Sequence, residues 1–431
     1  MRKDDTMNHT RKFLVGLFVA TSVAMSVSTT HADPPAGTGW DKNPDVVIGG
    51  GSDTTYLVSQ RLETLYNGSP GCAIDTTNSA TRGQCLDPTA TPTGPTNGNY
   101  DHDVFSSAAA IGSGGGISAL LGTGLAYHPG IDYARSSRGP SGTEAGGATF
   151  WGYARDGIAV TTFGTRTGVS LTKQDLVDIY TCAKTDWSQF GQPAGTIIPW
   201  DMNSASGTRA TFYTYIGVGG TGQPAIGTCV RKLNPVGTAA AIAPFENDVK
   251  PLLADSGPDL TFGTADDNEN NYLWWMSFGD WVTYPYTANG FVDGVATNAA
   301  ITSNLVTVDG TTPSPSTIFG STYAIMRTLF QVTRNTDADC VTPAGSGVAG
   351  DACTNANASV STTAVGGKGG AVRGFTEFLC RTTNAQQPTD SVTGKNYRIE
   401  INTAIAAEGF QTLNANVVGL RTTGYSCQVL T

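Results

Sequence analysis

Three short stretches set glycine beside hydroxyl side chains where a strand pattern gives way to a helix pattern. They are Gly51-Ser52-Asp53-Thr54-Thr55-Tyr56, Ile111-Gly112-Ser113-Gly114-Gly115-Gly116-Ile117 and Ser204-Ala205-Ser206-Gly207-Thr208-Arg209. The first turn of a helix leaves backbone N–H groups without intrahelical partners, and the helix dipole adds fractional positive charge there. Hydroxyls beside such donors, in a chain that also carries the isolated arginines Arg138 and Arg209, make a set suited to a small oxyanion. Any one cluster alone reads as an ordinary helix cap. Their recurrence, with the arginines, favours the anion. None is a nucleotide loop: GxxxxGKS/T is absent, and Gly112-Ser113-Gly114 lacks the third glycine of GxGxxG.

Other chemistries fit less well. Glycine-flanked serines invite a hydrolase such as a secreted phosphate-ester hydrolase, but no G-x-S-x-G elbow sits in a strand–turn–helix context. The candidate bases are His102, read as an exposed residue of a Gly/Pro/Asn-rich insert, and His128, read as structural before Pro129-Gly130. Asp255, Asp259, Asp266, Asp267 and Glu269 do not follow an EF-hand spacing, so an exposed acidic loop is preferred to a calcium site. No CxxC occurs, so no metal is expected. Trp274, Trp275, Trp281, Tyr284 and Tyr286 could form a surface-binding module, but their density in 272–278 reads as a buried strand.

The elements that must position these clusters lie in a chain of 431 residues with 54 Gly and only 14% charged residues, enough for about two domains. Arg11-Lys12, the apolar run 13–20 and the small residues of Thr30-His31-Ala32 form an export signal over 1–32. No Cys follows it as a lipoprotein anchor would require. The signal carries four basic residues (Arg2, Lys3, Arg11, Lys12) and two acidic ones (Asp4, Asp5), so a whole-chain charge of −10 becomes −12 in the mature protein. That balance opposes a grip on nucleic-acid phosphates. All eight cysteines lie beyond the signal and read as disulfides in an exported chain. Eight allow 105 pairings; sequential pairing would give Cys72–Cys85, Cys182–Cys229, Cys340–Cys353 and Cys380–Cys427.

Strand-like runs alternating with helical spacing predict an α/β protein. Residues 45–48 form a strand into Gly49-Gly50-Gly51, followed by a helix through Val58, Leu62, Leu65 and Tyr66. Residues 157–163 form another strand, followed by a helix through Leu171, Leu176, Ile179 and Tyr180 with Thr172 and Asp175 as a capping box. Ile197-Ile198-Pro199-Trp200 is a third strand end. Polar inserts at about 68–103, 253–271 and 336–370 read as loops.

In order and context the clusters resemble the phosphate-binding protein of the bacterial phosphate ABC importer, especially in its actinobacterial secreted version. The resemblance adds residues 132–138, 171–180 with Trp187, Glu246-Asn247-Asp248 and 323–330, and so spans nearly the whole mature chain. It implies a two-lobed type II periplasmic binding-protein fold with the ligand cleft between lobes. Lobe 1 would take 33–152 and return over 319–431, and lobe 2 would take 153–318. It implies a periplasmic or extracellular, non-enzymatic monomer that carries phosphate to the membrane subunits of an ABC importer and needs no cofactor. A stand-alone phosphate scavenger is the alternative role.

Carried over by position, Thr54, Thr55 and Tyr56, then Ser113, then Ser206, Gly207 and Thr208 would contact the ligand, with Ser137, Arg138 and Arg209 beside them. There are two departures. Ser137 stands where the family commonly has an aspartate that accepts the proton of hydrogen phosphate, which leaves Asp53 or Asp248 as possible acceptors. Met202 stands where the family commonly has an arginine, which leaves Arg138, Arg209 or Arg155 to supply the charge.

Overall fold

The structure, a computed structural model, describes residues 46–67, 99–102, 112–121, 133–231, 271–283, 303–335, 375–376, 378–380, 396–413 and 427–430. The export signal, Asp248, His128, Tyr284, Tyr286 and the acidic loop 255–269 lie outside them.

The first strand, β1 (Val46–Gly51), runs into α1 (Tyr56–Asn67). Val58, Leu62 and Tyr66 recur every four residues, so one face of α1 is buried as the spacing predicts. β2 (Asn99–His102) pairs parallel with β1. His102, expected in a loop, therefore belongs to a strand; Asn and Asp dominate that stretch, so its β character comes from tertiary pairing. α2 (Gly112–Leu120) contains the glycines of the second cluster within its own first turns, whereas the pattern predicts a strand end, then the cluster, then a helix.

β3 (Tyr133–Ser136) pairs parallel with β1, and next comes β4 (Ala148–Phe163), buried along its whole length. The sequence predicts only 157–163 as strand, because Arg155 and Asp156 interrupt the apolar run that marks a buried strand. Both charged residues have partners within the fold, described below, and the strand continues through them.

β5 (Ser170–Leu171) precedes α3 (Lys173–Tyr180), so Leu171 belongs to a strand and not to the helix. The capping box is present: the Thr172 hydroxyl accepts from Asp175 N–H, and the Asp175 carboxylate accepts from Thr172 N–H. β6 (Ile198–Pro199) and α4 (Gly207–Ile216) follow. β7 (Tyr272–Ser277) is buried throughout, with Trp274 and Trp275 closed to solvent. These two are core and not part of a binding surface.

After α5 (Phe278–Thr283), β8 (Ser303–Leu305), β9 (Thr307–Val308) and α6 (Pro315–Phe319), the chain returns along β10 (Met326–Arg334). α7 (Tyr397–Ala407), β11 (Gln411–Thr412) and β12 (Gln428–Leu430) complete the described elements.

The main sheet runs β2-β1-β3-β10-β4-β7-β6, with β8, β11 and β12 also on β4. β10 lies antiparallel along Ala148–Gly157 of β4, and β7 takes over along Ile158–Thr162. The apolar clusters divide at the same place. One gathers Ile158, Val160, α3, α4 and β7; the others gather α1, α2, α7 and the first half of β4.

Cys182–Cys229 and Cys380–Cys427 are disulfide-bonded, as sequential pairing anticipates, and each closes a separation of 47 residues. The other four cysteines lie outside the described residues. Among the described residues, no helix is long and apolar enough to cross a membrane.

Candidate functional site

The clusters meet at the N-terminal ends of α1, α2 and α4. Gly114 N–H donates to Ala205 O at 3.0 Å, which joins the second cluster to the third. The Ser113 hydroxyl accepts from Ser137 N–H at 3.0 Å and lies 3.2 Å from the Ser137 hydroxyl. Gly207 is seated against both: a Cβ there would collide with Ser113 Oγ and stand 2.5 Å from Ser137 Oγ. A glycine is needed for so close an approach. Thr54 and Thr208, from the first and third clusters, bring their hydroxyls to 3.3 Å. Ser206 caps α4 by accepting from Arg209 N–H at 3.2 Å.

Gly116 allows α2 to lie on β1. An added Cβ would collide with Gly51 Cα and come 2.7 Å from Gly50 O, both fixed backbone. Four glycines in α2 are unfavourable for helix formation, and this packing explains why they stand inside the helix.

The remaining first-cluster residues turn inward on their own loop. The Thr55 hydroxyl donates to Ser52 O at 3.3 Å, and Asp53 O accepts from Tyr56 N–H. Asp53 is half-buried in this turn. The Tyr56 ring lies beneath the Arg135 guanidinium, whose Nη1 donates to Gly49 O at 2.9 Å.

The three arginines expected to supply charge are engaged elsewhere. Arg138, at the rim of the second cluster, grips Glu144 with two hydrogen bonds of 2.7 and 2.8 Å. Arg209 makes the same fork on Asp201, at 2.8 and 3.0 Å, and lies over the Tyr213 ring. Arg155 donates to Ser321 Oγ at 2.7 Å and to Phe319 O.

Arg327 in β10, which sequence reasoning did not single out, reaches the centre. It forms an ion pair with Asp156 at 2.7 Å, donates to Thr54 Oγ1 at 3.2 Å, and also donates to Thr208 Oγ1. Its side chain is 2% exposed and that of Asp156 is 0% exposed. The sequence did hold a signal: Arg327 and Asp156 are charged residues in otherwise strand-like runs, and buried charges require partners.

The Arg138–Glu144 fork has a measurable consequence. Burial by itself would raise the Glu144 carboxyl, but hydrogen bonds from Arg138 and Ser141 and the Arg138 charge outweigh it and hold the group below its ordinary value. A carboxyl lowered on folding contributes stability above its unfolded pKa and loses that contribution as pH falls through its folded pKa. Glu144→Gln should therefore cost up to about 1 kcal/mol at neutral pH, the pair being partly exposed, with the difference closing below about pH 4. Urea melts at several pH values check this.

Among the described residues, the centre brings together hydroxyls, three helix N-termini and the Arg327 guanidinium with its Asp156 partner; the hydroxyls and helix ends are of the kind that can donate to a small anion. Among the described residues, no group of three or more His, Cys, Asp or Glu is placed to hold a metal.

A profile described as a PBP superfamily domain matches residues 75–348. No curated protein matches the chain. Among solved structures, the chain is similar to an ABC-type phosphate transport receptor from Vibrio cholerae, with 17% identity, 67% of this chain and 87% of that one covered, and a TM-score of 0.41. It is similar to a phosphate-binding protein from Stenotrophomonas maltophilia, with 14% identity, 86% and 91% covered, and a TM-score of 0.44. It is also similar to a human phosphate-binding apolipoprotein, with 16% identity, 86% and 92% covered, and a TM-score of 0.45.

Proposed function

The chain belongs to the PBP superfamily, and from that premise we propose that it is an exported solute-binding protein for inorganic phosphate or a closely similar oxyanion. It acts as a monomer, without enzymatic turnover, and hands its ligand to the membrane subunits of an ABC importer. The lobes are 33–152 with 319–431, and 153–318. Lobe closure encloses the anion.

The observation that carries this reading is the meeting of three glycine–hydroxyl clusters, distant in sequence, at three helix N-termini. A structural cap needs one such cluster; an oxyanion with four acceptor oxygens uses all of them. The ordered motifs that resemble the phosphate importer's binding protein supply the ligand's identity. Thr54, Thr208, Ser113, Ser137, Ser206 and Gly207 form its seat, with Thr55 and Tyr56 shaping the first loop. Ser137 donates where a carboxylate would accept, so the site is expected to tolerate an anion without a proton.

Calorimetric titration of the ligand-stripped mature protein with phosphate and then sulfate tests this, at pH values spanning the phosphate monoanion and dianion. Phosphate should bind, and sulfate should follow within about tenfold, since a hydroxyl donor serves either anion. No heat and no thermal stabilisation with either anion would sink the assignment.

A further inference from the structure

We propose that Arg327, aligned by Asp156, is the cation of this anion site and replaces the arginine that the resembling family carries four residues before its motif serine. The inference rests on the binding reading above. In this chain the family position holds Met202, 2% exposed, whose Sδ accepts from Ser206 Oγ at 3.0 Å. A thioether there maintains the cap but offers an anion neither charge nor a proton.

The replacement comes from a different part of the chain. β10 places Arg327 directly opposite Asp156 of β4. Asp156 Oδ2 accepts from Arg327 Nε at 2.9 Å and from Nη2 at 2.7 Å, and Asp156 Oδ1 accepts from Gly279 N–H at 3.2 Å. One edge of the guanidinium is thereby fixed, while the Nη groups point at Thr54 and Thr208. Arginine has five N–H donors in a rigid fork; Asp156 takes one edge, and the Nη groups donate to the two threonine hydroxyls, which can turn a proton outward to an oxyanion. The two threonine hydroxyls extend the same donor edge. Among the described residues, Arg327 donates to a hydroxyl of the first cluster and to one of the third, whereas Arg138, Arg209 and Arg155 make the contacts with Glu144, Asp201 and Ser321 given above. Asp156 is a positioning residue in this arrangement.

The test titrates inorganic phosphate into the full mature chain and its variants, alongside ligand-free melts. Arg327→Lys keeps a charge against Asp156 but loses the fork; it should bind at least about tenfold more weakly with a near-native melt. Arg327→Met with Asp156→Leu removes both charges, so no orphaned carboxylate is buried, and should weaken phosphate about 100-fold. Adding Met202→Arg to that pair should recover about tenfold by returning the cation to the family position. For Asp156, the readout is the Arg327 Nε–H proton resonance. Phosphate should shift it in the wild type, and Asp156→Asn, which melts lower because the buried guanidinium loses its carboxylate, should broaden it away in the protein that remains folded.

A folded Arg327→Met, Asp156→Leu protein that binds phosphate within about threefold of wild type overturns the proposal, and so does an Arg327→Lys protein that does so, since the fork is then not what meets the anion. A shift that persists in Asp156→Asn overturns the positioning role. Wild-type protein that binds neither phosphate nor sulfate removes the binding reading itself, a failure distinct from either.

Discussion

Gly207→Ala should fold and yet bind phosphate about 10- to 100-fold more weakly, the range that overpacking a tight contact produces. The added methyl group would occupy the space of the Ser113 and Ser137 hydroxyls, and these belong to the opposite side of the site from α4. Turning the Ser113 hydroxyl away would break the hydrogen bond that it accepts from the Ser137 backbone N–H. The strain is relieved if α4 moves back from the other two helix ends, which in the two-lobed reading proposed above is the open form. The cost therefore falls on the closed, ligand-bound state. A melt without ligand close to wild type, combined with a lost thermal shift on adding phosphate, is the expected pair of results. An unchanged affinity would mean that the three clusters do not act on one ion.

Removing the Cys182–Cys229 bridge by Cys182→Ala with Cys229→Ala should cost about 4 kcal/mol, the chain-entropy value for a loop near its separation of 47 residues. The bridge ties the end of α3 to the segment beyond α4, and Gly227 packs against the Cys182 sulfur. α4 carries the third cluster, so loosening this loop frees one wall of the site as well as part of a core. Guanidinium unfolding with matched slopes checks the stability, and phosphate titration of the same variant checks the wall. A loss below about 1 kcal/mol would place the constraint in residual structure of the unfolded chain.

Local signals are legible in this sequence, and long-range ones are not. The spacing of Val58, Leu62 and Tyr66, the Thr172–Asp175 box and the aromatic run at Tyr272 each depend on neighbours within a few residues, and each appears in the structure as expected. The clusters themselves are legible for the same reason. Their side-chain roles are less so: Arg209 ends a cluster and Arg138 follows Ser137, but each finds an acid six to eight residues away and closes on it. Arg327 stands 171 residues from Asp156 and 119 from Thr208, distances that only strand register can close. The glycine-rich start of α2 does not read as helix because helix propensity argues against it; its packing on Gly50 and Gly51 is tertiary.

β4 is a single strand whose neighbours change near Gly157: β10, β11 and β12 before it, β7 and β8 after it. Asp156 sits at that change, and through Arg327 it is linked to Thr54 and Thr208. In mechanical terms the ion would rest almost on the fulcrum. A rotation of one half of the sheet against the other displaces points in proportion to their distance from the axis, so the seat moves least and the outer rim moves most. If the proposed lobes turn about this change of neighbours, a small anion there has a short lever arm, and a wide swing is needed to expose it. Distance labels at the rim would register that swing long before any label near Arg327 did.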